Sequence, residues 1–252
     1  MRFAVPAAVL TAVAIASSSL AAQTVVVTPS DMQGWTSFAS SGAFSGITNA
    51  FPRLGNGSLE ISQDDAENGY SGSHILFSNQ SLSLLSSFSY DWYRSGLSTD
   101  QNQNVVPSLS LMMSDGTYLV YEPFYTIGEP PVDTWGTSNT MGGIFWRDGV
   151  DDAVTGECGE ASAYQSLALF NADCYGGQGQ VDGVEAYLGQ TGQGTFDGAV
   201  DNVSYAFDGA TPTTFNFELD APTGAVPEPA SLSLMATGLV GLAGLSRRKR
   251  RR

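Results

Sequence analysis

Apolar and polar residues alternate one by one over much of this chain. The stretch "SSFSYDWYRS" places Phe88, Tyr90 and Trp92 on one face and Ser87, Ser89, Asp91 and Tyr93 on the other. That period of two belongs to a strand with one buried side. "PSLSLMMSDGTYLVYEPF" repeats the pattern: Leu109, Leu111 and Met113 share a face, Ser114-Asp115-Gly116 turns the chain, and Thr117 to Glu122 returns as the partner strand. "TVVVT", "SLEIS", "HILFS", "GGIFWR", "VDGVEAYLG" and "GTFDGAVDNVSYAF" read as further strands. In the last of these, Val200 and Val203 can face one side only if a bulge intervenes at Asp201-Asn202. No long segment carries the three-to-four spacing of an amphipathic helix, and Gly, Ser, Asn and Asp cluster between the apolar stretches. Many short strands joined by turn-rich loops predict an all-β body, an antiparallel β-sandwich or jelly roll.

The ends break this pattern. One Arg, an apolar run from Phe3 to Ala16 and then small residues form the n-region, h-region and cleavage site of a signal peptide, assigned to residues 1–22. The sandwich is expected over 23–209. From Asp208 the composition shifts to "DGATPTTFNFELDAPTGAVPEP", so 210–225 reads as a linker, or as a last strand at Thr213 to Leu219 followed by a spacer. Export would place Cys158 and Cys174 in an oxidising compartment, where two cysteines tend to pair. Joining them closes a loop of about fifteen residues, worth about 3 kcal/mol in the chain-entropy model.

Charge sharpens the division. The formal net charge is −15, yet six of the ten Lys and Arg residues are Arg247, Arg248, Lys249, Arg250, Arg251 and Arg252. Between Gln23 and Ala225 stand 24 acidic residues against Arg53, Arg94 and Arg147, a net of −21. Such a body repels phosphate backbones and anionic headgroups, which excludes nucleic acid as a partner. The run from Ala230 to Leu245 is uncharged and mostly apolar; as a helix it would reach about 24 Å, just long enough to anchor in a bilayer. The cations after it would hold the C-terminus in the cytoplasm and leave the body outside.

Residues 226–252 join Val226-Pro227-Glu228-Pro229, a short Gly-bearing apolar stretch (Gly238, Gly241, Gly244) and the arginine-rich end. This order resembles the PEP-CTERM sorting signal, with Pro227, Glu228 and Pro229 as its tripeptide. The resemblance implies an exosortase as partner, transient anchoring in the inner membrane by a short transmembrane helix, and then release to the cell surface or extracellular polysaccharide. It implies a destination and no biochemical activity.

Weaker resemblances touch the body. "FPRLGNGSLEI" and "GTFDGAVDNVSYAF" look like the opening and closing strands of sandwich domains found ahead of this signal, and the second also resembles the last strand of carbohydrate-binding jelly rolls. That likeness implies a structural Ca2+ at Asp201; a turn or capping role for Asp201-Asn202 is the alternative. "QVDGVEAY" is similar to the Glu-x-Asp-x-x-Glu strand of laminarinase-like hydrolases on a concanavalin-like sandwich, with Gln180, Asp182 and Glu185 at the three positions. A retaining mechanism needs two carboxyl groups, one of them a nucleophile, and Gln180 cannot form the glycosyl ester. No catalytic residue is therefore assigned, and His74 reads as an ordinary residue.

Flat aromatic rings edged with polar groups hold neutral sugars. The long loop "EPFYTIGEPPVDTWGTSNT" offers Tyr125, Asp133 and Trp135 for that purpose, with Asn139 as a further polar edge, and for Trp135 loop packing is the equal alternative. Trp92 and Trp146 lie on strands and read as core. The sequence thus predicts an exported, non-enzymatic sandwich protein of the surface or matrix that binds polysaccharide; the alternative is a polysaccharide hydrolase or lyase.

Overall fold

The structure, a computed structural model, describes residues 23–65, 67–150, 154, 156–159 and 163–220. The expected signal peptide, the apolar run and the basic tail lie outside the described residues. Chain order is β1 (Gln23–Val27), β2 (Trp35–Ala39), β3 (Ala43–Thr48), β4 (Ser58–Gln63), β5 (Ser71–Ser81), β6 (Leu85–Arg94), β7 (Ser108–Met113), β8 (Tyr118–Tyr121), α1 (Phe124–Ile127), β9 (Gly136–Asn139), β10 (Phe145–Asp148), α2 (Leu167–Tyr175), β11 (Gln180–Leu188), β12 (Phe196–Phe207) and β13 (Thr213–Phe217). Among the described residues no helix is long and apolar enough to cross a membrane.

Two sheets face each other. The first is built on β12, which pairs with β6 along one edge; its other edge pairs with β4 over Phe196–Val200 and with β13 over Val203–Tyr205. β9 extends this sheet beyond β6, β3 beyond β4, and β1 joins β13 in parallel. The second sheet runs β10-β8-β7-β11-β5-β2, every pair antiparallel.

The alternation read from the sequence determines what lies between them. Phe88, Tyr90 and Trp92 of β6 point inward and are at most 1% exposed; they meet Leu109 and Leu111 of β7 and Val184 and Ala186 of β11 in one core. Trp35 of β2 sets its ring edge-on to Phe217 and Phe215 of β13, at 5.2 and 5.6 Å. Burying such a side chain contributes roughly 1.5–3 kcal/mol. Polar tips in this core have partners: the Trp92 indole donates to Ser138 Oγ at 2.9 Å, and the Tyr90 hydroxyl donates to the Pro107 carbonyl at 2.8 Å.

Individual elements meet or miss the expectations. β13 places Phe215 and Phe217 in the core, so the segment 210–225 holds the last strand of the sandwich and not a linker alone. The bulge at Asp201-Asn202 is present: the β12–β6 register shifts between Asp201 and Ser204, and Asn202 takes φ 49°. A nine-residue helix, α2, appears where none was expected. Ser166 Oγ accepts from Leu169 N at its start, Gly176 ends it in the left-handed region, and the Gly177 N–H returns to the Asn171 carbonyl at 2.7 Å. Cys174 near its end is bonded to Cys158, the expected pairing.

Candidate functional site

Because paired residues share a face, the register of the second sheet fixes which side chains lie on its outer surface. One cross-strand row reads Trp146, Val120, Ser110, Glu185, His74 and Thr36; a flanking row reads Asp148, Tyr118, Met112, Gly183 and Leu76; the third holds Ser108, Tyr187, Gly72 and Phe38. Small residues form a floor along β7, and aromatic rings rise on both sides. Gly72 is required here, since a Cβ would sit 2.8 Å from the Phe38 ring and 2.5 Å from the Ala186 carbonyl. With that Cβ absent, Phe38 lies over the strand and packs near-parallel to Tyr187 at 6.2 Å and beside His74 at 5.7 Å.

The surface is hollowed along this line. A depression of about 330 Å³ is lined by Ser108, Glu122, Tyr125, Trp146, Tyr187 and Thr191 among others. One of about 190 Å³ follows, at Phe38, Ser110, Tyr118 and Glu185, and shares Val120, Asp148 and Tyr187 with the first. A third of about 500 Å³, at Leu76, Phe77, Met112 and Asp182, shares Tyr118 with the second. Together they make one trough that runs with β7 from Ser108 to Ser114.

Its polar groups are underused by the protein itself. Ser110 Oγ and Thr191 Oγ1 are buried without a hydrogen-bond partner among the described residues. Leaving such a group unpaired costs about 1–3 kcal/mol. Glu185 is 8% exposed and accepts no hydrogen bond among the described residues; His74 Nδ1 lies 4.0 Å from its Oε2. Burial, reinforced by the Asp148 charge, pushes the Glu185 carboxyl up to about 7. Burial likewise raises Glu122, against the pull of the Trp146 indole that donates to it at 3.0 Å. The Tyr187 phenol is pushed up to about 12 by burial and by neighbouring Asp148 and Glu185, so it remains a neutral donor and acceptor.

Of the aromatic residues expected to bind sugar, Tyr125 lines the trough, paired with Tyr164 at 4.4 Å between ring centres. Trp135 and Asp133 are not beside it. The chain crosses to the other sheet at β9, so Trp135 packs at 5.5 Å from Tyr93, with the Arg53 guanidinium 5.6 Å over its ring. Asp133 accepts from the Tyr93 hydroxyl at 3.1 Å and from Gly96 N at 2.8 Å. Asn139 caps the turn that follows β9. Trp146, read from sequence as core, faces outward into the trough; Phe145 and Arg147 on either side of it are the buried residues. Trp92 is core as expected. Of the hydrolase-like triplet, Glu185 and Asp182 reach the trough, in separate depressions, and Gln180 is at the start of β11 opposite Ser81. Sequence reasoning missed His74, Phe38 and Tyr187; only the strand register brings them to Glu185.

Asp201 lies on the opposite sheet. It is fully buried, and Oδ1 accepts from Asn202 N at 2.7 Å and Phe217 N at 2.9 Å, while Oδ2 has no partner among the described residues. Asn216 Oδ1 on the adjacent strand is also buried and unpartnered. Nearby, Glu218 accepts from Asn56 N at 2.5 Å, from Gly57 N at 3.0 Å and from Asn216 Nδ2 at 3.0 Å. Burial pushes Asp201 up to about 7, against its two backbone hydrogen bonds. Among the described residues no group of three or more His, Cys, Asp or Glu is gathered to hold a metal. Calcium also takes amide and carbonyl oxygens, and two orphaned oxygens on neighbouring strands fit that donor chemistry.

The family model for the PEP-CTERM protein-sorting motif matches residues 225–251. The chain carries a PEP-CTERM sorting motif. The motif implies export, membrane-anchored transit towards the cell surface and processing by an exosortase. No curated protein matches the chain by sequence. Among solved structures, the chain is similar to the family 11 carbohydrate-binding module of the cellulosomal cellulase Lic26A-Cel5E of Clostridium thermocellum, at 14% identity and TM-score 0.38, over 73% of this chain and 89% of that one. It is also similar to a β-1,2-glucanase from Parabacteroides distasonis, at 11% identity and TM-score 0.37, and to an exo-β-agarase, at 12% and 0.39. It covers 68% and 71% of this chain in those two matches but only 22% and 23% of the enzymes. At these identities and TM-scores the likeness carries no argument about activity.

Proposed function

We propose that this exported protein is a non-enzymatic component of the cell surface or extracellular matrix, and that its trough binds polysaccharide. One observation carries the reading: a trough with aromatic walls at Phe38, Tyr118, Tyr125, Trp146 and Tyr187 contains two buried hydroxyls, Ser110 and Thr191, that have no hydrogen-bond partner among the described residues. Rings of this kind cover the apolar faces of sugars, and orphaned hydroxyls and carboxyls take the hydrogen bonds of their edges. Native gels cast with soluble polysaccharide test it. The full chain, kept in mild detergent for its apolar tail, should be retarded, and Trp146→Ala with Tyr187→Ala should run as in a blank gel. Equal retardation of wild type and double variant contradicts the reading.

A hydrolase is the second reading, and Glu185 is the observation that favours it, since a carboxyl raised by burial suits a general acid. The non-enzymatic reading stands on the amide at Gln180, where a retaining mechanism needs a carboxylate nucleophile.

Calcium belongs to the same proposal as a structural ion. Asp201 and Asn216 would hold it, and its charge would let Asp201 ionise in place, tying the β12 bulge to β13.

A further inference from the structure

Every cation in the described body is already committed elsewhere. Arg53 bonds Asp91 at 3.0 Å on the opposite sheet. Arg94 is wholly buried against Asp100 at 2.6 Å. Arg147 bonds Asp115 at 2.8 Å and lies 4.9 Å over the Tyr175 ring. The only lysine is Lys249, in the tail. The trough, by contrast, is lined by Glu122, Asp148, Asp182 and Glu185, and the chain's single imidazole, His74, is set against Glu185. Recognition of a carboxylate or sulfate takes a cation or a set of directed N–H donors. Among the described residues no cation lines this surface, its side-chain amides are confined to Asn102 and Gln190 at one end, and the body's charge of −21 repels anions from a distance.

The trough also has a direction. Its three depressions follow one another along β7, with Ser108, Ser110 and Met112 beneath them, and along β11, past Tyr187, Glu185 and Asp182. Six residue steps from Ser108 to Ser114 span about 20 Å. That length suits a run of several sugars better than one ring.

Resting on the polysaccharide reading, we infer that the trough selects uncharged polysaccharide and seats it as an extended segment along β7 and β11. Neutral sugars offer hydroxyls that donate to the carboxyls and exchange hydrogen bonds with Ser110, Thr191 and the Tyr187 phenol. An anionic chain would bring like charge against the same carboxyls.

Affinity gels of the full chain in mild detergent test this with two panels at one ionic strength: neutral polymers (β-glucan, xylan, agarose, galactomannan) and anionic ones (alginate, polygalacturonate, carrageenan). Each panel is run with chelator and with calcium. At least one neutral polymer should retard the chain, and every anionic polymer should bind at least about tenfold more weakly under both conditions. Oligosaccharides of the retained polymer should compete better with each added sugar up to the length of the trough, and Tyr118→Ala where the second and third depressions meet and Trp146→Ala in the first should each weaken the longest. Equal or tighter binding of an anionic polymer overturns the selectivity while leaving polysaccharide binding intact. A disaccharide that competes as well as the polymer overturns the extended seat. Retardation by no polymer of either class overturns this inference together with the binding reading beneath it.

Discussion

Replacing Asp201 by Asn probes the buried carboxyl in isolation. The amide keeps an oxygen for the N–H groups of Asn202 and Phe217 and removes the charge. Folding raises Asp201 from an ordinary 3.8 to about 7, chiefly by burial. The stability this carries is whole below the unfolded value and is lost as pH rises through about 7, because the unfolded chain ionises first. At about 1.4 kcal/mol per pKa unit the loss approaches ~4 kcal/mol. In chelator, wild type and Asp201→Asn should therefore unfold at similar temperatures near pH 4, and the variant should gain on wild type above pH 7, by roughly 10 °C for a domain of this size. Calcium at pH 7.5 should raise the wild-type midpoint and leave the variant unchanged, since a ligand bound only to the native state must stabilise it. The assay is thermal unfolding followed by far-ultraviolet circular dichroism across pH, in chelator and in calcium. Parallel pH profiles for the two chains would refute the buried-charge argument, and an equal calcium response would remove Asp201 from the ion's ligands.

Other consequences follow the same logic. Cys158→Ser with Cys174→Ser should cost about 3 kcal/mol and lower the unfolding midpoint, with the loss seen in denaturant titrations; an unchanged midpoint would mean that the loop before α2 is held by other contacts. The wild-type chain should release no reducing ends from any polysaccharide it binds. Release that disappears in Glu185→Gln would instead favour the hydrolase.

Alternation made much of this architecture legible. The parity of "SSFSYDWYRS" puts Trp92 inside, and the parity break in "GTFDGAVDNVSYAF" locates the bulge at Asp201-Asn202. Trp146 was misread because an arginine occupies the inward position beside it: Arg147 is buried through its ion pair with Asp115 and its contact with Tyr175, so charge and burial go together where pattern reading expects them apart. Tyr125 and Trp135 are neighbours in sequence and strangers in space, because β9 leaves for the other sheet between them and the next strand. The centre of the trough was invisible for a related reason. His74, Ser110 and Glu185 lie in one row only through strand register, which depends on all the turns between them. The helix α2 was signalled only by its ends, Ser166 and Gly176-Gly177, because its residues carry no apolar stripe.

Amide hydrogen exchange of the full chain, with and without a polysaccharide that retards it, tests the central claim most directly. Occupation of the trough predicts slowed exchange over Ser108–Met113, Tyr118–Tyr121 and Gly183–Leu188, with no change around Phe51, Tyr93 and Trp135 on the other sheet. Protection confined to that second aromatic cluster, with β7 and β11 unaffected, would contradict the account.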